Sequence, residues 1–193
     1  LTTSSAASDV YKRQDMDADS LIHIARPEDS HDRLYPISMG RYGPTVAVPR
    51  ILETYRRLGI KQSFFVPGWC IETYPDAVEA ILRGGHEIGH HGYLHEDPID
   101  APEQRAWFEK ALEAHHKYCG GTPSGYRAPV YNINQEVVDL LVEHGFRYDS
   151  SMMADDIPYR LDTKRGGLWE MPVHWGTDDW PPFARYSEIG YMM

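Results

Sequence analysis

An alternation of amphipathic helices, glycines and short apolar strands runs along most of the chain and constrains its fold more than any other feature. The segment 45–59 places Val48 and Leu52 on one apolar stripe at helical spacing, and Gly59 follows as a C-terminal cap. The next segment, 62–68, is typical of a buried strand. The pattern then repeats, with predicted helices at 75–83, 102–121 and 134–145 and predicted strands at 86–92, 124–129, 146–151 and 168–175.

Strands that alternate with helices of about 10–15 residues predict parallel βαβ units with right-handed crossovers. An open doubly wound sheet and a closed barrel both satisfy this α/β pattern, and in both the functional side chains collect at the C-terminal ends of the strands. The sequence contains no G-x-x-x-x-G-K-[ST], no G-x-G-x-x-G and no G-x-S-x-G. Their absence argues against an NTPase, a Rossmann oxidoreductase and the common α/β serine hydrolases.

Charge, apolar runs and cysteine content limit the partners and the cellular compartment that the sequence predicts. The 193 residues suffice for one sizeable domain, and 29 acidic against 19 basic residues disfavour nucleic acid, because phosphate binding needs a basic surface. No apolar run reaches the roughly 18–20 residues of a membrane span. Cys70 and Cys119 form no C-x-x-C motif, so a reduced cytoplasmic protein is expected. The sequence leaves the oligomeric state open, a homo-oligomer included.

The alternation of helices and strands is expected to be incomplete at both ends of the chain. The polar, small-residue-rich segment 1–14 resembles translated adapter sequence and is predicted to lie outside the fold, where it would replace an apolar first strand. The domain is therefore expected to cover 15–193 and to be incomplete at its C-terminus, because 186–193 stops without a helix or a cap. A replaced first strand would hold the aspartates that follow it less firmly.

Four histidines within 85–97 form two H-x-x-x-H pairs, His86 with His90 and His91 with His95. A four-residue step can aim two imidazoles at one metal ion, as it does on one face of a helix. Ten histidines in 193 residues would give about 0.5 such pairs by chance, so the spacing alone does not identify a site. Placement favours the second pair, because His91 lies at the C-terminal end of its predicted strand and His86 lies at the start.

Further polar residues fall at the same predicted edge. Asp15 and Asp17 lie two apart, so a strand would direct both toward one site, and Arg127 and Asp149 lie at or near the ends of two later predicted strands. Two imidazoles and one carboxylate on a divalent ion leave a position for water, as catalytic sites do. A second carboxylate can act as general base on that water, and an arginine beside it would keep it ionised.

The order D-x-D, H-x-x-x-H, R-x-P and Y-D-S resembles the polysaccharide deacetylase family over residues 15–180. These carbohydrate esterases have a distorted (β/α) barrel of the seven-strand type and cleave N-acetyl groups from amino sugars with a divalent metal. The segments "GHEIGHHGYLHE" and "MPVHWGTDDWPPF" resemble one branch of that family. The branch includes peptidoglycan-deacetylase-like proteins, cyclic-imide hydrolases and, more distantly, metal-free allantoinases.

The resemblance implies a role for each polar residue at the strand ends. Its catalytic set is the general base Asp15, Arg127, which orients that base, and Asp149, which supports the acid side. Its metal ligands are Asp17, His91 and His95, and the ion is expected to be zinc.

The resemblance also implies a substrate-binding set. Tyr131 lies near the loop whose backbone amide is an oxyanion donor in the family, although "RAPVY" carries one residue more than the usual R-P-P-Y. Trp175 and Asp179 are predicted to line the pocket, with an ordinary core position as the alternative for the tryptophan. The family's general-acid histidine belongs to a later motif that this chain does not reach, and His174 precedes that place.

The predicted function is therefore a metal-dependent hydrolase of non-peptide carbon–nitrogen bonds, with an N-acetylated amino sugar, free or in a glycan, as the substrate. A small cyclic imide or ureide is the alternative substrate on the same fold. Two further alternatives are a non-catalytic carbohydrate-binding module, which loss of Asp15 would mark, and a metal-free amidohydrolase, which lost metal ligands would mark.

Overall fold

The computed structural model of the protein describes residues 13–97 and 103–178, and the backbone of two further strands, Arg185–Ser187 and Gly190–Met192, which pair with each other. The main sheet contains seven strands. They are β1 (Arg13–Asp15), β2 (Ser63–Val66), β3 (Glu87–His90), β4 (Gly125–Tyr126), β5 (Tyr148–Asp149), β6 (Tyr159–Thr163) and β7 (Gly166–Glu170).

The strands are ordered β1-β2-β3-β4-β5-β7-β6 across the sheet, and every neighbouring pair is parallel except the antiparallel hairpin of β6 and β7. Helices connect the strands of the first four parallel pairs, because a parallel connection must cross over the sheet, whereas β6 lies between β5 and β7 in the sequence. The mixed, mostly parallel sheet confirms the predicted α/β class and is consistent with a distorted (β/α) barrel.

Seven α-helices lie between the strands within the described part of the chain. Local signals set several of their ends: Gly59 adopts φ 66° at a C-terminus, Pro75 begins a helix, and the Asn134 side chain caps another by accepting from the Val137 amide. No helix in the described ranges is both long and apolar enough to cross a bilayer. The helices are α1 (Ser20–Ala25), α2 (Leu34–Tyr42), α3 (Val48–Leu58), α4 (Gly68–Thr73), α5 (Pro75–Arg83), α6 (Gln104–Tyr118) and α7 (Gln135–Glu143).

Two apolar clusters lie between the sheet and its helices. In the first, Phe64 and Val66 of β2 pack against α3, α4 and α5. In the second, Tyr126 of β4 and Leu168 of β7 pack against α6 and α7. Full burial of one such side chain stabilises the fold by about 1.5–3 kcal/mol, so this face of the sheet anchors the strands. Since successive residues of a strand point to opposite faces, the residues between these anchors face the other side.

The structure departs from the predicted elements at both ends. The predicted strand 168–175 is wrong in extent: the strand is Gly166–Glu170, it pairs with the unpredicted β6, and Pro172 beyond it has no N–H to donate. At the other end, Arg13 and Gln14 form β1 together with Asp15 despite their polarity. The limits 1–14 and 15–193 stay predictions, because residues before Arg13 lie outside the described part of the chain.

Candidate metal centre and catalytic carboxylate

The two histidine pairs lie in different backbone conformations. His86 precedes β3 and His90 ends it, so their four-residue step is nearly extended and spans roughly 13 Å. Both side chains point toward the helices: His86 accepts from the Gln62 amide at 3.1 Å, and the Nε2 of His90 donates to the Phe108 carbonyl at 3.1 Å. This pair cannot share one metal ion.

The second pair spans a turn instead of a strand. Gly92 adopts φ 69° and His95 adopts φ 63°, so the chain reverses after β3 and brings the rings of His91 and His95 to a centroid distance of 5.0 Å. The left-handed conformation is easy for glycine and uncommon for histidine. The four-residue spacing therefore brings two imidazoles together here because the backbone folds back.

Asp17 completes a three-residue cluster with these histidines. Its Oδ1 lies 3.5 Å from the Nε2 of His91, and its Oδ2 lies 3.5 Å from the Nε2 of His95. One potential ligand atom from each residue falls within 4.8 Å of the other two. The spacing of the three atoms suits a single ion between them, with room for a further ligand.

The protonation of the cluster also fits a cation. Nδ1 of His91 donates to the Arg127 carbonyl at 2.7 Å, which leaves the Nε2 lone pair directed at Asp17. Burial lowers the pKa of His91 and so favours the neutral imidazole that binds metals. Within the described residues, the buried Oδ1 of Asp17 has no hydrogen-bond partner. A buried carboxylate oxygen without a donor is expensive, and a divalent ion would satisfy it.

Asp15 lies beside this cluster and has a different partner. Arg127 Nη1 donates to Asp15 Oδ1 at 2.7 Å, while its Nε and Nη2 donate to the carbonyl and hydroxyl oxygens of Ser150 at 3.1 and 3.0 Å. The guanidinium also stacks on the Phe65 ring, 4.5 Å from its centroid. Burial alone would raise the pKa of Asp15, but the charge of Arg127 and the hydrogen bond from it outweigh the burial, so the pKa lies below its ordinary value.

Asp149 lies on the helix side of the sheet, away from the metal cluster. Both of its oxygens accept hydrogen bonds from Ser151, from the hydroxyl at 2.8 Å and the amide at 3.1 Å. Glu170 lies opposite Asp149 in the register of β5 and β7, and both side chains are fully buried. Burial and the charge of Asp149 raise the pKa of Glu170 to about 10, so the pair holds one proton. The sequence analysis missed Glu170, whose signal is a charged residue between the apolar positions of "LWEMP".

The predicted substrate-binding residues lie on the loop after β4 and near the C-terminal end of the described region. Tyr131 and the half-exposed Trp175 pack edge to face with a centroid distance of 5.2 Å, and the Tyr131 hydroxyl donates to Asp178 at 2.7 Å. The Tyr131 amide already donates to the Ala128 carbonyl at 3.0 Å, so it is occupied within its own turn. Asp179 lies outside the described residues.

Comparisons with known proteins identify the family of the chain. Residues 42–148 match the model of the polysaccharide deacetylase family. A peptidoglycan deacetylase of Helicobacter pylori is 34% identical over 80% of this chain and 61% of its own length. A peptidoglycan deacetylase-like protein of Gibberella zeae is 32% identical over 80% of this chain and 54% of its own length. The chain thus spans little more than half the length of these relatives.

Solved structures extend the likeness to the fold. A protein of Mycobacterium smegmatis assigned to the polysaccharide deacetylases superposes with a TM-score of 0.87 and 39% identity over 92% of this chain and 63% of that one. An allantoinase superposes with a TM-score of 0.65 and 26% identity over 72% of this chain and 47% of that one. The family match covers more than half of the chain, so this protein belongs to the polysaccharide deacetylase family.

Proposed function

We propose that this chain carries the catalytic centre of a metal-dependent deacetylase that removes acetyl groups from N-acetylated amino sugars in glycans. One observation carries the proposal: a metal-ligand cluster of two imidazoles and a carboxylate lies beside a separate carboxylate that an arginine keeps ionised. Hydrolysis of an amide needs both functions at one place, a cation for the carbonyl oxygen and a base for the attacking water.

Asp17, His91 and His95 would hold the ion. Two neutral imidazoles and one carboxylate are a donor set that suits zinc, which supports zinc as the expected metal. When bound, such an ion supplies a water of lowered pKa and polarises the acetyl carbonyl.

The other residues of the chain would act on protons and on the sugar. Asp15 takes the proton of the attacking water, and Arg127 holds the Asp15 carboxylate in place and ionised. Asp149 acts on Arg127 indirectly. It accepts a hydrogen bond from Ser151, and the neighbouring Ser150 accepts two of the hydrogen bonds from Arg127.

The aromatic residues supply a surface for the substrate. Tyr131 and Trp175 offer two ring faces beside the site, and Trp175 is 51% exposed, as a ring that stacks on a sugar must be. We assign Asp179 to the same pocket on the strength of the family resemblance alone.

Hydrolysis of a small cyclic imide or ureide is the second candidate. The likeness to an allantoinase structure favours it, since allantoinases open a ureide ring. Both reactions use an activated water against a carbonyl, so the metal cluster and Asp15 serve either one. The discriminating property is the size of the substrate, not the chemistry of attack.

A substrate comparison tests the proposal. Zinc-loaded protein from the uninterrupted parent gene, which would supply the family's general acid, should release acetate from N-acetylglucosamine oligomers, and Asp15→Asn should lose that activity while it retains the metal. Ring opening of hydantoin or succinimide without acetate release would support the second candidate. If that protein folds and binds zinc but hydrolyses neither substrate class, both candidates are overturned.

A further inference from the structure

The turn that carries His95 is an unusual piece of backbone. Residues 91–97 form no helix or strand, and two of them, Gly92 and His95, have positive φ angles. A non-glycine residue holds this conformation only where its surroundings determine it. Because His95 itself has the unfavourable angle, the direction of its imidazole depends on whatever fixes this turn.

The Glu96 side chain is what the turn folds around. Its carboxylate accepts the Tyr93 amide at 2.9 Å on Oε1 and 3.0 Å on Oε2, and the Leu94 amide at 2.7 Å on Oε2. The residue is only 8% exposed. A β-carbon at Gly92 would lie 2.8 Å from Oε1, so the carboxylate packs directly on the glycine backbone. Charge-assisted bonds of this kind are among the strongest in proteins.

The other side of the turn is tied to the helix α4. The carbonyls of Gly92 and Tyr93 accept from the amides of Gly68 and Trp69 at 2.9 and 2.8 Å. Amides of α4 thus donate to the carbonyls of the turn, and the Glu96 carboxylate accepts from the amides of the turn. Both oxygens of Glu96 are engaged by these amides, and Glu96 is not part of the metal cluster. Any effect it has on a metal must therefore pass through His95.

We propose that Glu96 is a positioning residue whose carboxylate holds the Gly92–His95 turn so that the Nε2 of His95 faces Asp17. This inference rests on the proposed metal site. It predicts that the charge and both oxygens of Glu96 matter, because a glutamine would turn one N–H2 group toward amides that need an acceptor. It also predicts that loss of Glu96 weakens metal binding more than it weakens the fold.

The test is a zinc titration against a competing chelator, with the cobalt(II) absorption spectrum as a second readout of coordination geometry. Glu96→Gln should bind zinc about 10- to 100-fold more weakly than the unsubstituted chain, with a changed cobalt spectrum. Glu96→Asp keeps the charge on a shorter arm and should lose less. Glu72→Gln is the matched control: among the described residues Glu72 accepts a hydrogen bond only from the Tyr93 hydroxyl, at 2.9 Å, so this variant should bind zinc normally.

Each outcome has a distinct meaning. An unsubstituted chain that folds but binds no zinc refutes the metal site itself. If it binds zinc and Glu96→Gln binds equally well, with the same cobalt spectrum, only the role of Glu96 is wrong. Should Glu96→Gln fail to fold, the decision passes to Glu96→Asp: normal zinc affinity in that variant overturns the inference, and reduced affinity with an unchanged urea midpoint of the metal-free protein supports it.

Discussion

Asp15 and Asp17 are two residues apart and lie in opposite electrostatic surroundings. Asp15 has a guanidinium at 2.7 Å, whereas Asp17 faces two imidazole nitrogens at 3.5 Å and has a buried oxygen without a hydrogen-bond donor among the described residues. The protein completes the first carboxylate from its own side chains and leaves the second incomplete. The difference fits the two proposed roles: Arg127 stabilises the Asp15 carboxylate as a base, and the Asp17 carboxylate is left to receive a cation.

The largest expected effect is the loss of zinc affinity when one residue of the Asp17 cluster is replaced. His95→Ala and Asp17→Asn should each weaken zinc binding by at least about 100-fold, because each removes one of the three proposed ligands. Neither side chain forms a hydrogen bond with another described residue in the metal-free protein, so its free energy of unfolding should change by about 1 kcal/mol or less. Isothermal titration and urea denaturation without metal measure the two quantities.

His86→Ala is the control for these variants, since His86 lies on the helix side of the sheet and should not affect zinc affinity. Retained zinc affinity in His95→Ala, or loss of zinc in His86→Ala, would mean that the assignment of the metal to His91 and His95 is wrong.

The next effect belongs to the Asp15 side and should have the opposite profile. Arg127→Met leaves the Asp15 carboxylate and the Ser150 carbonyl without this donor, and since Arg127 is buried whereas the Asp15 side chain is 26% exposed, the loss should be about 1–3 kcal/mol. Urea denaturation of the metal-free protein should show this loss. Arg56→Met breaks an exposed pair with Glu53 and should have a much smaller effect. Equal losses in the two variants would mean that the Asp15 side is not the stabilising one.

A third effect concerns the proton held between Asp149 and Glu170. The pKa of Glu170 is raised to about 10, so the folded protein keeps a proton that the unfolded chain releases above its ordinary pKa of 4.5. This contribution is fully present below pH 4.5 and is lost as the pH rises toward 10, by up to about 1.4 kcal/mol per pH unit. Glu170→Gln should make the decline in unfolding free energy between pH 5 and 9 shallower.

Urea denaturation at pH 5, 7 and 9 measures that slope. Glu136→Gln, which removes an exposed carboxylate from the first turn of α7, is the matched control. A slope that stays the same in Glu170→Gln would show that the buried pair does not hold the proton in the folded state.

The smallest expected effect lies in the loop after β4. Val130 adopts φ 49°, a conformation that is unfavourable by about 1–2 kcal/mol for a β-branched residue, and its side chain is 59% exposed. Val130→Gly relieves this strain but adds about 0.5–1 kcal/mol of chain entropy in the unfolded state. The variant should therefore be slightly more stable, by up to about 1 kcal/mol, in thermal unfolding. A clear loss of stability would mean that the valine side chain makes contacts that outweigh the strain.

The periodic elements could be predicted from the sequence, and the irregular ones could not. The helix that ends at Gly59 follows from an apolar stripe and a terminal glycine, both of which are local. The helix α2 has no such stripe: Leu34 and Tyr35 are 76% and 70% exposed, so no apolar period marks it. The polar strand β6 is likewise defined only by its pairing with β7.

The candidate site, too, could be predicted only in part from the sequence. The grouping of Asp15, Asp17, His91 and His95 follows from the convergence of strand ends, which the order of the elements predicts. The pairing of Asp149 with Glu170 could not be predicted, because it depends on the register of two strands that are distant in the sequence. The positive φ angle of His95 could not be predicted from the sequence either, since nothing about a histidine requires it.

The reversal of the chain between His91 and His95 has a consequence for protein design. An H-x-x-x-H spacing copied into another scaffold would reproduce this pair of ligands only on a helix or on a turn of this shape, and on a strand it would separate them. The portable unit is therefore a short loop: a histidine, a glycine that accepts positive φ, two residues whose amides point inward, a second histidine and the glutamate that collects those amides. A grafting experiment should transfer all six residues or none.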